Sequence, residues 1–97
     1  MAKVLRLCGP ADGPVQTDGV RQFVADYDPN RVHARWTPLP GGGSMRVTSL
    51  RSHALKFMDN VDALDAWRQR STTTPRRRDG ELNRPLTSQH VMIEDDT

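Results

Sequence analysis

"DNVDALDAWRQR", Asp59 to Arg70, is the stretch of this chain with a helical period, and its reading decides the fold. Asp59 suits an N-cap, because its carboxylate accepts from the free N–H groups of a first helical turn. Phe57, Val61, Leu64 and Trp67 then follow one face, with Ala63 and Ala66 beside them. Asp62 and Asp65 lie toward the N-terminus and Arg68 and Arg70 toward the C-terminus, which suits the helix dipole at both ends. The spacing predicts one amphipathic helix over about 60–70.

Outward from the helix the chain reads as strands and loops. Downstream, "STTTPRRRDGELNRPLT", 71–87, holds four arginines, two prolines and a glycine and has little to bury, so it predicts a long loop. Ser88 to Glu94, SQHVMIE, reads as a closing strand with Val91 and Ile93 on one face, and 95–97 as a frayed acidic tail.

Upstream, Lys3 to Cys8, KVLRLC, is a β-prone run stopped by Gly9-Pro10, and 9–19 is a turn-rich loop. In Val20 to Asp28, Phe23, Ala25 and Tyr27 alternate with Gln22, Val24 and Asp26, which predicts a strand with one buried face. Asp28-Pro29-Asn30 forces a turn, and the alternation of Val32, Ala34 and Trp36 predicts a return strand forming a hairpin. Pro38 and Pro40 end it, and 38–44 becomes a loop with Gly41 to Ser44 as a flexible tip. Met45 to Thr48 is a further short strand, with Thr48 or Ser49 capping a helical turn toward Leu55.

Strands, one helix and a closing strand predict an α+β fold: a small antiparallel or mixed β-sheet with one main amphipathic helix packed on one face. Val61, Leu64 and Trp67 are expected to pack onto Phe23, Ala25, Val91 and Ile93, and burial of Trp67 contributes roughly 2–4 kcal/mol. The chain has 97 residues, 35% of them apolar, with seven glycines and seven prolines. That length and composition allow one small core, in a single domain over 1–94. Apolar runs are only a few residues long, far short of the ~20 needed to span a bilayer, so a cytoplasmic protein is expected. Cys8 is the single cysteine, which precludes an intrachain disulfide.

The candidate chemistries fail on spacing. Cys8, His33, His53 and His90 lack the close ligand pairs of structural zinc sites. Gly41-Gly42-Gly43-Ser44 is followed by no phosphate-loop lysine. No G-x-S-x-G elbow is present, and Cys8 has no nearby histidine. Asp59, Asp62 and Asp65 are helix N-terminal acids. No catalytic constellation, cofactor site or metal site is predicted.

What remains is arginine, twelve residues against two lysines. Arginine binds phosphate and carboxylate bidentately, while Arg, Asp, Gly, Pro and Val together are also what a high-GC genome encodes. Arg76, Arg77, Arg78 and Arg84, preceded by Arg68 and Arg70, are dense enough to follow a phosphate backbone. Asp79 and Glu81 interrupt the run, and no aromatic interleaves for base stacking. A protein partner is the alternative, because arginine and exposed aromatics such as Trp36 or Tyr27 are enriched at interface hot spots.

Tyr27-Asp28-Pro29, then Thr48 with Ala54 and Phe57, then Ala63 with Trp67, then Asp79-Gly80 with Asn83-Arg84-Pro85-Leu86-Thr87 form a pattern. It resembles a class of small uncharacterised proteins of actinobacterial phages and prophages, over roughly two-thirds of the chain. The His33 to Ser44 segment departs from it. The resemblance implies a bacterial cytoplasmic setting and no particular activity. It also implies that NRPLT is a fixed lead-in to the last strand, with Leu86 tucked under the loop and Asn83 or Arg84 bonding backbone, while Arg76 to Arg78 face solvent.

The expected function is that of a non-enzymatic accessory protein that binds a host or phage protein, through residues such as Arg76, Arg77, Arg78, Arg84 and Trp36. An exposed apolar patch around Trp36, Met45 or Met92 would support it. The alternative is a small nucleic-acid-associated protein whose Arg76–Arg78 and Arg84 contact phosphates.

Overall fold

The computed structural model describes residues 2–16, 19 and 21–96. Its elements are β1 (Lys3–Pro10), β2 (Gln22–Asp28), β3 (Thr37–Pro38), β4 (Ser44–Thr48), α1 (Asn60–Trp67) and β5 (Gln89–Asp95), with single 3-10 turns at Arg51–His53 and Pro85–Ser88. The strands form one antiparallel sheet in the order β3-β4-β2-β1-β5. The fold is therefore α+β, with α1 lying against β1 and β5 on one face.

Adjacent residues of a strand point to opposite faces, and both faces of this sheet are covered. On the helix side Leu5, Val24, Leu39, Met45, Ala63 and Leu86 form the main core, bordered by Tyr27, Trp67, Val91 and Ile93. On the other side Val4, Phe23 and Ala54 form a second cluster. The chain reaches that side through residues 49–57. There Leu55 N–H donates to Val24 O at 2.9 Å, and Phe57 exchanges two backbone bonds with Lys3, which ties the segment to β2 and β1 at once.

Several expectations are corrected. β2 does not keep a strict alternation. Val24 pairs with Val47 and Asp26 with Arg46, so Ala25 is the extra residue of a β-bulge. The bulge shifts the phase: Val24 and Tyr27 join the main core, and Phe23 faces the other side. Val20, the expected first residue of this strand, lies outside the described residues.

Residues 32–36 form no strand, and the partner of β2 is β4. Local polar bonds win over the alternating pattern here. Asp28 Oδ1 accepts from Asn30 N–H at 2.8 Å and from Arg31 N–H at 3.2 Å, and Asp28 Oδ2 lies 2.7 Å from His33 Nε2. Arg35 then turns the chain at φ 69°, which β structure does not allow. The expected loop at 38–44 instead closes a short hairpin between β3 and β4, with Leu39 N–H donating to Gly43 O at 2.7 Å.

α1 begins as expected, with Asp59 accepting from Asp62 N–H at 2.9 Å. It ends at Trp67, one turn early, and it is rotated about its axis. Val61 is 65% exposed and Ala63 is completely buried. The Trp67 indole donates to Gln89 O at 3.1 Å, which fixes the rotation. Ala63, one turn earlier on the same side, has no bulk to hold the helix away from β1. The acidic tail is not frayed as far as it is described: Asp95 pairs with Lys3, and Asp96 N–H donates to Ala2 O at 2.8 Å. Thr97 lies outside the described residues. β1 also continues through Gly9 and Pro10, past the expected stop, by a register shift after Leu7.

Candidate anion-binding cleft

The arginine-rich stretch is built, not loose. Asp79-Gly80 makes a tight turn in which Gly80 N–H donates to Arg77 O and Arg77 N–H to Glu81 O. Arg76 pairs with Leu82 across it, and Asp79 Oδ1 accepts from Glu81 N–H at 3.0 Å. The result is a small hairpin over 76–82.

Two asparagines fix that hairpin to the body. Asn30 Oδ1 accepts from Thr72 N–H at 2.6 Å and from Thr73 N–H at 3.3 Å, holding the start of the stretch on the turn after β2. Asn83 is buried, and its Nδ2 donates to Gly41 O at 2.9 Å and to Thr74 O at 2.8 Å. Its own backbone bonds Pro75 O and Ser71 N–H. Gly41, at φ 95°, lies directly on the Asn83 carboxamide, where a Cβ would collide with it. The glycine turn is thus a docking surface for Asn83 and not a free tip. Pro85 and Leu86 are buried next to it, so the "NRPLT" stretch is a rigid lead-in to β5.

Between this hairpin, the glycine turn and the residues after β1 lies a cleft of about 870 Å³. Arg76, Arg77, Arg78 and Arg84 all line it, together with Gly41, Gly42, Thr74 and Thr87. Among the described residues Asp12 is the one acidic residue of the wall, and none of the lining residues is aromatic. Arg76 Nη1 donates to Gly80 O at 2.8 Å, and Arg77 Nη2 lies 3.0 Å from Asp79 Oδ2 in a pair more than half exposed on both sides. Such an exposed pair is worth little and yields readily to a stronger acceptor. Arg78 and Arg84 make no ion pair among the described residues. Several guanidinium forks on one concavity can take the oxygens of phosphates or carboxylates bidentately.

Trp36 is not part of this cleft. It packs against His33, with ring centroids 4.2 Å apart and the ring planes tilted by 44°, in the loop between β2 and β3. Met45 is buried in the main core, while Met92 is 42% exposed. Sequence reasoning missed Asn30 and Gly41, whose roles depend on residues about forty positions away. The bond from Asn83 to backbone was expected only from the resemblance.

Other titratable groups lie elsewhere. Burial pushes the Tyr27 hydroxyl up to about 12. The Asn30 N–H and the His33 ring hold the Asp28 carboxyl below its ordinary range. Burial works to raise Glu94, but Arg51 and Arg6 outweigh it and hold the carboxyl low. The Cys8 thiol is buried and faces Arg6 O. Among the described residues no three His, Cys, Asp or Glu side chains gather as a metal site would require, and no helix is long and apolar enough to cross a membrane. In comparisons with protein-family models, curated proteins and solved structures, nothing matches this chain.

Proposed function

We propose that this chain is a non-enzymatic nucleic-acid-associated protein, which holds a phosphate backbone in the arginine cleft in a bacterial cytoplasm. The observation that carries this reading is that Arg84, from the lead-in to β5, joins Arg76, Arg77 and Arg78, from the hairpin, around one concavity. A loop that merely connected α1 to β5 would need neither that convergence nor the two asparagine anchors. Because no aromatic among the described residues lines the cleft, bases have nothing to stack on, so binding is independent of sequence and no weaker for duplex than for single strands.

The test is binding of duplex and single-stranded DNA and RNA as salt is varied, for wild type and for Arg76, Arg77 and Arg78 changed together to Ala. Four phosphate contacts on a duplex give a log–log salt slope of about −3.6, or roughly 150-fold weaker binding at 200 than at 50 mM salt. In the triple variant only Arg84 remains and the slope falls to about −0.9. Binding that survives high salt, or is unchanged in the variant, overturns the reading.

A second reading is a phage-type accessory protein that binds a host or phage protein. Its support is Met58, 81% exposed just before α1, and Val61, 65% exposed in the first turn of α1. Large apolar side chains left in water so close along the chain favour a protein contact. No nucleic-acid binding at either salt, with partner capture lost in Val61→Asp, would place this reading first.

A further inference from the structure

The sheet has two edges, and they are protected differently. β3 is only two residues long and ends in Pro38, which has no N–H to offer. Short strands and edge prolines of this kind block further pairing. β5 is seven residues long and carries no proline.

The register shows which β5 groups face outward. Asp96 N–H donates to Ala2 O, and Lys3 to Leu7 pair with Asp95 to Val91 in an unbroken antiparallel ladder. Stepping by two from Ala2, the residues that exchange bonds with β1 are Glu94 and Met92. Gln89, Val91, Ile93 and Asp95 therefore turn their backbone groups to the open edge. Two side-chain bonds agree with this: the Trp67 indole donates to Gln89 O, and Arg51 Nη1 donates to Asp95 O at 2.6 Å. Both ends of the edge are thus capped, and the segment between them, Val91-Met92-Ile93, has neither charge, proline nor bulge to protect it.

We propose that a second copy of this chain pairs with this segment, antiparallel and with a two-fold axis through Met92. The segment is self-complementary in that register. Val91 of one copy meets Ile93 of the other as a hydrogen-bonded pair, twice, for four backbone bonds. Both are half-buried against the main core, so the pairing continues an apolar face. On the opposite face Met92, 42% exposed, meets its own copy. Outside this centre His90 comes opposite Glu94 and Gln89 opposite Asp95, so no like charges meet. Centring the axis on Val91 or Ile93 instead sets Met92 against His90 or Glu94 and loses the apolar match. The dimer sheet has ten strands, and only the blocked β3 edges remain.

Disulfide trapping tests this together with mass in solution. At the two-fold, Met92 of each copy forms a non-hydrogen-bonded pair with Cα atoms about 4.5 Å apart, within the disulfide range. Met92→Cys should cross-link at least roughly tenfold faster than Val61→Cys, an exposed helix position of similar access, because pairing raises the local thiol concentration. Wild type should sediment at twice 10.9 kDa. Met92→Glu, which sets two like charges together, should sediment as a monomer with an unchanged far-UV circular dichroism spectrum. A wild-type monomer throughout, equal cross-linking of the two cysteine variants, or a Met92→Glu dimer would each overturn the proposal.

Discussion

On one face of the sheet Leu5, Val24, Met45 and Leu86 meet α1 through Ala63 and Trp67. On the other, Val4, Phe23 and Ala54 share their layer with an ion network: Glu94 Oε1 accepts from Arg6 Nη1 at 3.3 Å and Oε2 from Arg51 Nη2 at 3.0 Å, while the Arg51 guanidinium lies over the Phe23 ring. A small chain with few large apolar residues covers one face with carbon and completes the other with charge. The first cover is indifferent to pH. The second depends on one carboxylate remaining ionised, because two guanidinium groups meet on it.

The largest expected effect is on the apolar face. Leu86 is completely buried in the main core, so Leu86→Ala removes transfer free energy and leaves a cavity, at a cost of about 3 kcal/mol. Urea melts at pH 7 and pH 4 should show the same loss, and a pH-dependent loss would break the contrast between faces.

Next in size is Glu94→Gln, which leaves Arg6 and Arg51 without the carboxylate between them and costs about 2 kcal/mol at neutral pH. The folded-state pKa of Glu94 is depressed, so its stabilisation is present above the unfolded value and is lost as pH falls through the folded one. Wild type should therefore lose stability as pH falls below the ordinary glutamate value of 4.5, and the gap between wild type and variant should shrink with it. A gap that stays constant would mean that Glu94 acts through packing alone.

The smallest effect sharpens the helix assignment. Val61→Ser should change stability by less than about 0.5 kcal/mol, as an exposed position does. A loss above that value in thermal melts would mean that the face read from the sequence, with Val61 in the core, is correct after all.

The sequence made the helix start legible because an N-cap is a local event: Asp59 and Asp62 are three residues apart. The buried face was not legible, since hydrophobicity ranks valine over alanine while close approach to β1 selects Ala63. The bulge at Ala25 and the turn through Arg35 were also hidden, because each trades a regular pattern for bonds that involve distant or polar partners. The arginines of the cleft were legible as a cluster. Their concavity was not, since it depends on Asn83 reaching Gly41 and on Asn30 reaching Thr72, contacts that no local spacing announces.

The ladder between β1 and β5 also orders events during synthesis. Lys3 pairs with Asp95 and Leu7 with Val91, so this pairing joins residues far apart along the chain. Until Gln89 and its successors leave the ribosome, Val4 and Leu5 lack the neighbour strand on one side. Closure of the sheet therefore waits on contacts of high sequence separation, which slow it. Across that interval β1 offers an unpaired edge to a chaperone or to another chain.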